Sequence, residues 1–227
     1  MKITYLGHAS FLIEMNGKTI LFDPFISGNE MAKEIDINSL TVDYIFVTHG
    51  HQDHLLDVET IAKNNPKAKL VSNFEVVSWF AEKGIDGHGM NHGGKYTFDF
   101  GTAKYVSAIH SSMLPDGSNG GNPGGFVLYD DSHCIYHAGD TALTKDMELI
   151  PMTCPKLNIA ILPIGDNFTM GYEDAAIASD FIQCNQIIGC HYDTFPPIKI
   201  DKTKAVEHFD KKGKKLMLPD IGESISI

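Results

Sequence analysis

Short apolar runs separated by glycine- and proline-bearing turns dominate the chain, and this alternation predicts β-strands more than long helices. Asn16-Gly17 lies between two such runs and predicts a two-residue hairpin turn. Strands are predicted over residues 2–6, 10–14, 18–23, 44–47, 69–72, 96–100, 103–109, 126–129, 134–138, 158–164, 186–190 and 214–218.

Helices are predicted in the gaps between these strands. Asp57, Asn73 and Thr144 stand where short polar side chains cap the first backbone N–H groups of a helix, and Pro151 is expected to close the third helix. No internal repeat or linker interrupts the pattern, so residues 1–227 are predicted to form a single domain. The predicted helices cover residues 57–64, 73–83, 144–150, 173–184 and 201–212, and the predicted loops cover 24–41, 87–94 and 111–125.

The composition is that of a water-soluble globular protein, with 43% hydrophobic and 21% charged residues in a chain of 227. The formal net charge is −11, and all 18 basic residues are lysines. An acidic chain without arginine argues against nucleic acid or an anionic membrane surface as a partner. A small-molecule substrate, even a phosphorylated one, stays compatible, because bound metal ions would reverse the local field.

The cysteines and the N-terminal residues indicate a cellular location. Cys134, Cys154, Cys184 and Cys190 form no C-x-x-C pair, and a chain of this size does not need disulfides. Reduced, mostly buried thiols are therefore predicted. The first residues resemble neither a signal peptide nor a membrane span. We expect a cytoplasmic protein, and a homo-oligomer is compatible with the sequence.

The densest group of reactive side chains is Thr-His-Gly-His-Gln-Asp-His at residues 48–54, directly after the apolar run 44–47. Residues two apart point the same way on an extended segment, so His49 and His51 are predicted to hold one ion. Asp53 and His54 lie on the turn beyond, where they would serve a second ion. These ligand types suit zinc, and also iron, manganese or nickel. A solvated loop with several histidines by chance is the less favoured alternative.

Three further apolar runs end in residues of types that can bind metals: His110, Asp140 and His191. One such ending means little, because polar residues often terminate strands. Together with residues 48–54, however, they predict that strand ends converge on one edge of a sandwich. Asp23 ends another predicted strand, where it would orient a metal ligand or only cap its turn.

Residues 49–54 match the H-x-H-x-D-H signature of the metallo-β-lactamase superfamily. His110, Asp140 within Gly-Asp-Thr, and His191 fall where that family places its later ligands. The segments Leu-Gly-His-Ala and Leu-Phe-Asp-Pro near the N-terminus resemble the branch that includes ascorbate-6-phosphate lactonase and N-acyl-phosphatidylethanolamine phospholipase D. The chain looks most similar to the small metal-dependent hydrolases of bacteria and archaea within that branch.

This resemblance implies an α+β fold, the four-layer αβ/βα sandwich, in which two mixed β-sheets carry helices on the outside. It also implies two divalent metal ions, most often zinc. Carried over position by position, the first ion would be held by His49, His51 and His110, the second by Asp53, His54 and His191, and Asp140 would bridge both.

The resemblance further implies a reaction. Two cations about 3.5 to 4 Å apart lower the pKa of a shared water from near 16 toward about 7, and the resulting metal-bridged hydroxide attacks a carbonyl or phosphorus. Asp53 would orient this nucleophile and return its proton. His8 and Tyr192 are candidate donors to the developing oxyanion, against simple packing for His8 and loop contact for Tyr192.

The expected activity is binuclear metal-dependent hydrolysis of a small ester, lactone or related bond. A phosphodiesterase acting on a lipid or nucleotide-like head group is the alternative, followed by a non-catalytic metal-binding scaffold. His51 stands where the redox branch of the family has glutamate, which favours hydrolysis. His88 and His92 are predicted to be solvated, and His137 is predicted to be an ordinary strand histidine rather than a support for a ligand. The loop 111–125 is predicted to form a substrate wall or lid.

Overall fold

Fourteen strands and six α-helices build the chain, and a computed structural model describes all of residues 1–227. The strands are β1 Lys2–Gly7, β2 Ser10–Met15, β3 Lys18–Phe22, β4 Tyr44–Phe46, β5 Lys69–Asn73, β6 Gly87–Met90, β7 Lys95–Phe98, β8 Gly101–Ser107, β9 Gly124–Tyr129, β10 Cys134–His137, β11 Ile159–Pro163, β12 Gln186–Cys190, β13 Lys215–Met217 and β14 Ser224–Ser226. The helices are α1 Gln52–Leu55, α2 Val58–Asn64, α3 Phe74–Ala81, α4 Leu149–Thr153, α5 Tyr172–Phe181 and α6 Lys202–Lys211. Single 3-10 turns lie at Glu30–Ala32, Lys145–Glu148 and Pro196–Ile198.

The strands form two seven-stranded mixed sheets built on the same plan. The first sheet has the order β14-β1-β2-β3-β4-β5-β6 and the second has the order β13-β12-β11-β10-β9-β8-β7. In each sheet an antiparallel half continues into a parallel half, which runs from β3 to β6 in the first and from β10 to β13 in the second. Parallel strands place their carboxyl ends at one edge of the sheet. The residues that follow β3 and β4 therefore lie at one edge of the first sheet, and those that follow β10 and β12 lie at one edge of the second.

The main core fills the space between the sheets. Phe46 on β4 packs against Phe22 at 5.1 Å and against Phe126 on β9 of the other sheet at 5.0 Å between ring centroids. All three rings are fully buried. Truncating one of them to alanine would cost about 3 to 5 kcal/mol. Two further apolar clusters lie on the outer faces, one beneath α2 and α3 and the other beneath α5 and α6. This arrangement confirms the predicted α+β four-layer sandwich.

Some predicted elements were wrong. Gly87–Met90 was predicted as part of a loop, but it is an edge strand because its backbone pairs with β5. Pro151 lies inside α4 rather than ending a helix, since the first turn of a helix needs no N–H from that residue. Asp57 stands at the start of α2 without capping it, because Asp57 Oδ2 accepts hydrogen bonds from Ile26 and Ser27 N–H at 2.6 and 2.9 Å.

Reduced, mostly buried cysteines were also predicted. All four cysteines are unpaired, and Cys134, Cys184 and Cys190 are buried. No helix of the chain has both the length and the apolar content needed to cross a bilayer. The organisation of residues 1–227 as a single domain stays a prediction.

Candidate metal centre

The seven predicted ligands lie together at one edge of the two sheets. Nitrogen and oxygen atoms of these seven residues and of His8 fall into three groups whose members all lie within 4.8 Å of one another. The first group is His49, His51 and His110; the second is His49, His54 and Asp140; the third is His8, Asp53, His54 and His191. The structure therefore gathers residues that are far apart in the chain, as the strand-end pattern predicted.

Asp23 and Thr48 hold two histidines in defined orientations. The buried Asp23 carboxylate accepts hydrogen bonds from the Thr48 backbone N–H and hydroxyl, both at 2.8 Å, and its Oδ2 lies 2.9 Å from His54 Nδ1. Thr48 Oγ1 lies 3.0 Å from His49 Nδ1. An ionised carboxylate only accepts hydrogen bonds, so His54 donates to Asp23 through Nδ1–H. The Thr48 hydroxyl donates to Asp23, so the Thr48 oxygen accepts a hydrogen bond from His49 Nδ1–H. Each histidine then turns its Nε2 toward the centre, and this is the atom that would bind a metal once it is unprotonated.

A glycine permits this close packing of strand ends. Gly139 has a φ of +64°, and a Cβ at this position would lie 2.8 Å from Thr48 Cβ. Any side chain would therefore push the Asp140 strand end away from Thr48 and the network around it.

Asp140 occupies the middle of the cluster. Its Oδ2 lies 3.0 Å from His191 Nε2, 3.3 Å from His54 Nε2 and 3.5 Å from His110 Nε2. Yet Asp140 Oδ1, His54 Nε2 and His191 Nε2 are buried and make no hydrogen bond of good geometry. Buried polar atoms are rarely left without a partner. Nitrogen and carboxylate oxygen atoms that converge without pairing fit divalent cations, with zinc, iron, manganese and nickel all compatible.

The pKa values separate the histidines into two kinds. Burial, followed by the charge of His54, lowers the pKa of His49 well below its usual value, and burial also lowers the pKa of His51 and His110. Burial alone would lower the pKa of His191, but Asp140 and Asp53 raise it to about 9. The pKa of His54 is likewise raised, because Asp140 and Asp23 outweigh burial.

The two carboxylates of the centre are held in their charged forms. Burial alone would raise the pKa of Asp53, but His191, whose Nε2 lies 3.8 Å from Asp53 Oδ2, and a hydrogen bond with His8 hold it well below its usual range. The pKa of Asp140 is also well below its usual range, since His191 and His54 outweigh burial. Both carboxylates are thus available as anionic ligands at neutral pH.

A pocket of about 260 Å³ opens over this cluster. Ser111, Phe168 and Phe195 form its walls beside the metal-binding residues. Ser111 begins the loop that was predicted to form a substrate wall or lid, whereas Phe168 and Phe195 were not predicted, because no local pattern distinguishes a pocket phenylalanine from a core one. The lining residues are His51, Asp53, His110, Ser111, Asp140, Phe168, His191 and Phe195.

The glycine-rich loop 111–125 is pinned against the histidine cluster. Ser112 Oγ accepts the Gly50 N–H at 2.9 Å and donates to Gly120 O at 2.8 Å. Asn73 caps α3 through its side-chain oxygen, and its side-chain nitrogen donates to the Gly120 oxygen at 2.8 Å. At the start of the loop, Ser111 Oγ lies 3.2 Å from His51 Nε2. The loop is therefore a fixed wall of the pocket.

His8 lies behind Asp53, at a position with left-handed backbone (φ 56°). Its Nε2 is 3.1 Å from Asp53 Oδ2 and its Nδ1 is 3.0 Å from Thr194 Oγ1. Its backbone oxygen accepts the His191 N–H at 2.9 Å, which ties the edges of the two sheets together. Burial and the neighbouring His191 lower the pKa of His8 to about 4.

The other singled-out residues lie away from the pocket. Tyr192 is buried and lines a neighbouring cavity of about 230 Å³ that it shares with His8. His137 stacks on Phe22 at 4.8 Å and is a core histidine, as predicted. His88 and His92 join no ligand group. His92 is exposed, as predicted, and stacks on Tyr105 at 5.1 Å, whereas His88 is half-buried against Tyr96 at 4.1 Å.

Comparison with known proteins agrees with this geometry. A family model described as a beta-lactamase superfamily domain matches residues 2–191, which include all seven candidate ligands. The chain belongs to this family. A UPF0173 metal-dependent hydrolase of Flavobacterium johnsoniae is 60% identical over 227 residues and matches along the whole length of both chains. A protein of the same name from Methylacidiphilum infernorum is 43% identical over 99% of each chain. The chain is therefore a metal-dependent hydrolase of the metallo-β-lactamase superfamily.

Solved structures share the architecture. Igni18, described as a novel metallo hydrolase from the archaeon Ignicoccus hospitalis, superposes with a TM-score of 0.89 and 32% identity over 99% of this chain and 97% of its own. An isothiocyanate hydrolase from Delia radicum gut bacteria superposes with a TM-score of 0.80 over 100% and 99% of the two chains. Its sequence identity is 22%, so the likeness concerns the fold.

Proposed function

We propose that this protein binds two divalent metal ions and hydrolyses a small ester, lactone or related bond. The observation that carries the proposal is the position of Asp140 Oδ2, within 3.5 Å of nitrogen atoms of His54, His110 and His191. A carboxylate with histidines on both sides is suited to bridge two cations. The family supports metal-dependent hydrolysis, and the number of ions, their identity and the bond are the parts we add.

The ligand atoms divide into two subsites. His49, His51 and His110 would hold one ion; Asp53, His54 and His191 would hold the other, with Asp140 shared between them. When bound, the ions would supply a nucleophile by acidifying water and would polarise the attacked bond. Zinc suits these ligands best, and manganese, iron and nickel also accept them.

Asp53 is the protein group best suited to handle the proton of the nucleophile. Its carboxylate lines the pocket, is ionised, and accepts from His8 on one oxygen. It would orient the attacking water, accept a proton from it, and pass that proton to the leaving oxygen when the bond breaks. These transfers balance, because one proton of the water goes to the leaving oxygen and the remaining hydroxyl goes to the acyl group.

His8 then acts as a positioning residue for Asp53. Its Nε2 faces Asp53 Oδ2 at 3.1 Å, so it donates there and accepts the Thr194 hydroxyl at Nδ1. A donor committed to Asp53 is not free for an oxyanion, and we propose the positioning role in place of the oxyanion role. The oxyanion role of Tyr192 stays a prediction, as do the cytoplasmic location, the small-molecule substrate and the possible homo-oligomer.

Metal analysis combined with one variant tests this proposal. The purified protein should carry close to two ions per chain, and Asp140→Ala should lose metal and hydrolysis together. Removing a shared ligand should lower the metal affinity by more than the roughly 10- to 100-fold expected when a residue that only hydrogen-bonds to a ligand is removed. Asp131→Ala, at an exposed turn, is the matched control and should change neither quantity. Unchanged turnover in Asp140→Ala would contradict the proposal.

A substrate panel separates the alternatives. Lactones and carboxylic esters should be hydrolysed faster than bis(4-nitrophenyl) phosphate if the bond is an acyl bond. The opposite ranking would favour a phosphodiesterase. Two bound ions with no hydrolysis of any class would favour a metal-binding scaffold.

A further inference from the structure

An exposed phenylalanine stands at the rim of the pocket on a tightly built loop. Phe168 lies within the segment 165–171 and its side chain is 54% exposed. Gly165 and Gly171 pair across the base of this segment, and the Phe168 N–H donates to Asp166 O at 2.6 Å. Asp166 and Asn167 both adopt left-handed backbone, with φ of 61° and 58°. Aspartate and asparagine tolerate this backbone better than other residues that carry a Cβ, so the segment forms a tight turn that leaves the ring of Phe168 in water.

Both ends of this loop are fixed to the metal centre. Gly165 passes so close to His191 that a Cβ at position 165 would lie 2.0 Å from the His191 oxygen. At the other end, the buried Met170 donates its N–H to Thr141 O at 3.0 Å, one residue after Asp140. The position of Phe168 is therefore set by the two strand ends that carry His191 and Asp140.

A second aromatic ring lines the same pocket. Phe195 packs edge-on against His8 at 5.4 Å and against Phe25 at 6.1 Å between ring centroids. The residues that line the pocket include no lysine, and the chain has no arginine. Apart from bound metals and the histidines that would hold them, the pocket thus has no positive side chain to receive a substrate anion, whereas it has two rings to receive an apolar group.

We infer that Phe168 and Phe195 bind an uncharged apolar substituent of the substrate, either alkyl or aryl, beside the bond that is cleaved. The inference rests on the proposed function and narrows it to neutral esters or lactones with such a substituent. The volume of about 260 Å³ lies below the 300–1,000 Å³ of sites for drug-sized ligands, so the pocket receives a small group. Phe168 and Phe195 determine specificity and take no part in proton transfer.

Binding of 4-fluorobenzyl alcohol, followed by its fluorine NMR signal, tests the site without using turnover. Phe168→Ala should raise the Kd of this neutral probe roughly tenfold, the upper end expected for one aromatic contact. The Kd of the probe for Phe168→Leu should lie between the values for the unmodified protein and for Phe168→Ala. Phe74→Ala is the matched control, since Phe74 is 63% exposed but does not line this pocket. Equal Kd values for Phe168→Ala and Phe74→Ala would overturn the inference.

Hydrolysis of γ-lactones with methyl and pentyl tails, followed by proton release, tests specificity. Phe168→Ala should lower kcat/KM for the pentyl lactone roughly tenfold, mainly through KM, and should lower kcat/KM for the methyl lactone much less. An equal loss for both lactones, or faster cleavage of bis(4-nitrophenyl) phosphate than of either, would refute the inference. If no lactone or ester is cleaved while Phe168→Ala still weakens the probe, the proposed function fails and the apolar site stands.

Discussion

The two halves of the candidate centre differ in how the protein balances charge. We call His49, His51 and His110 the histidine subsite, and Asp53, His54 and His191 the mixed subsite. In the histidine subsite burial lowers every histidine pKa, and the supporting partners, such as Ser111, are neutral. In the mixed subsite nearby carboxylates raise the histidine pKa values.

This difference has a consequence for metal binding. The histidines of the histidine subsite are already neutral at pH 7, whereas His54 and His191 of the mixed subsite carry an additional proton that a cation must displace. The two subsites thus have different proton linkage, because Asp23 and Asp53 lie beside the histidines of the mixed subsite, whereas Asp140 is shared between both.

The largest expected effect comes from removing one ligand of each subsite. His110→Ala and His191→Ala should each reduce the bound metal from two ions to one, because each takes a ligand from a different subsite. The affinity of the damaged subsite should fall by more than about 100-fold, since loss of an outer partner alone costs up to that much. Metal titrations of both variants measure this. Loss of both ions in either variant would mean that the subsites are not separable.

The pH dependence of metal affinity should differ between these two variants. His110→Ala leaves the mixed subsite, where the pKa of His191 is about 9. As pH falls below 9, His191 takes up a proton that the cation must displace, so the Kd should rise by up to about tenfold per pH unit. His191→Ala leaves the histidine subsite, whose Kd should stay flat down to near pH 6.5. Titrations at pH 6.5, 7.5 and 8.5 distinguish the slopes, and equal slopes would refute the comparison.

Asp23 and Thr48 allow the two subsites to be weakened separately. Asp23→Asn removes the anionic partner of His54 and should weaken the mixed subsite by about 10- to 100-fold. Thr48→Val removes the hydroxyl that contacts His49 and also donates to Asp23, which keeps its contact with His54, so the effect should fall mainly on the histidine subsite. Metal affinity is to be measured beside the melting temperature, because Asp23 is fully buried. A melting temperature that falls without any change in metal affinity would assign Asp23 to folding alone.

Ser111→Ala should have the smallest effect. Its hydroxyl lies 3.2 Å from His51 Nε2 at the exposed edge of the pocket, where water can replace it. We expect at most a few-fold loss of affinity in the histidine subsite and none in the mixed subsite. A loss as large as that of Asp23→Asn would show that the wall formed by loop 111–125 orients the ligands more strongly than its exposure suggests.

Much of this centre was predictable because its signals are local. His49 to His54 lie in six consecutive positions, and His110, Asp140 and His191 each follow an apolar run. Alternation of apolar and polar residues locates strands, and a strand end carries its next residue to the sheet edge. Asp23 also ends a buried strand, and its contact with His54 fits the first of its two predicted roles, the orientation of a candidate ligand.

Other features depend on residues that are distant in the chain. The pairing of β14 with β1, the strand at Gly87–Met90, and the meeting of Phe168 with Phe195 in one pocket had no local signal. Edge strands form where a neighbour offers free backbone groups, and a pocket wall forms where separate loops meet. The sequence by itself determined the ligand types, the strands that carry them and the acidic balance, since these depend on side-chain chemistry and on periodicity. Only the tertiary structure decided which candidate ligands lie close enough to share a cation, which histidine pKa values are raised and which residues line the pocket, because these depend on distances and burial across the two sheets.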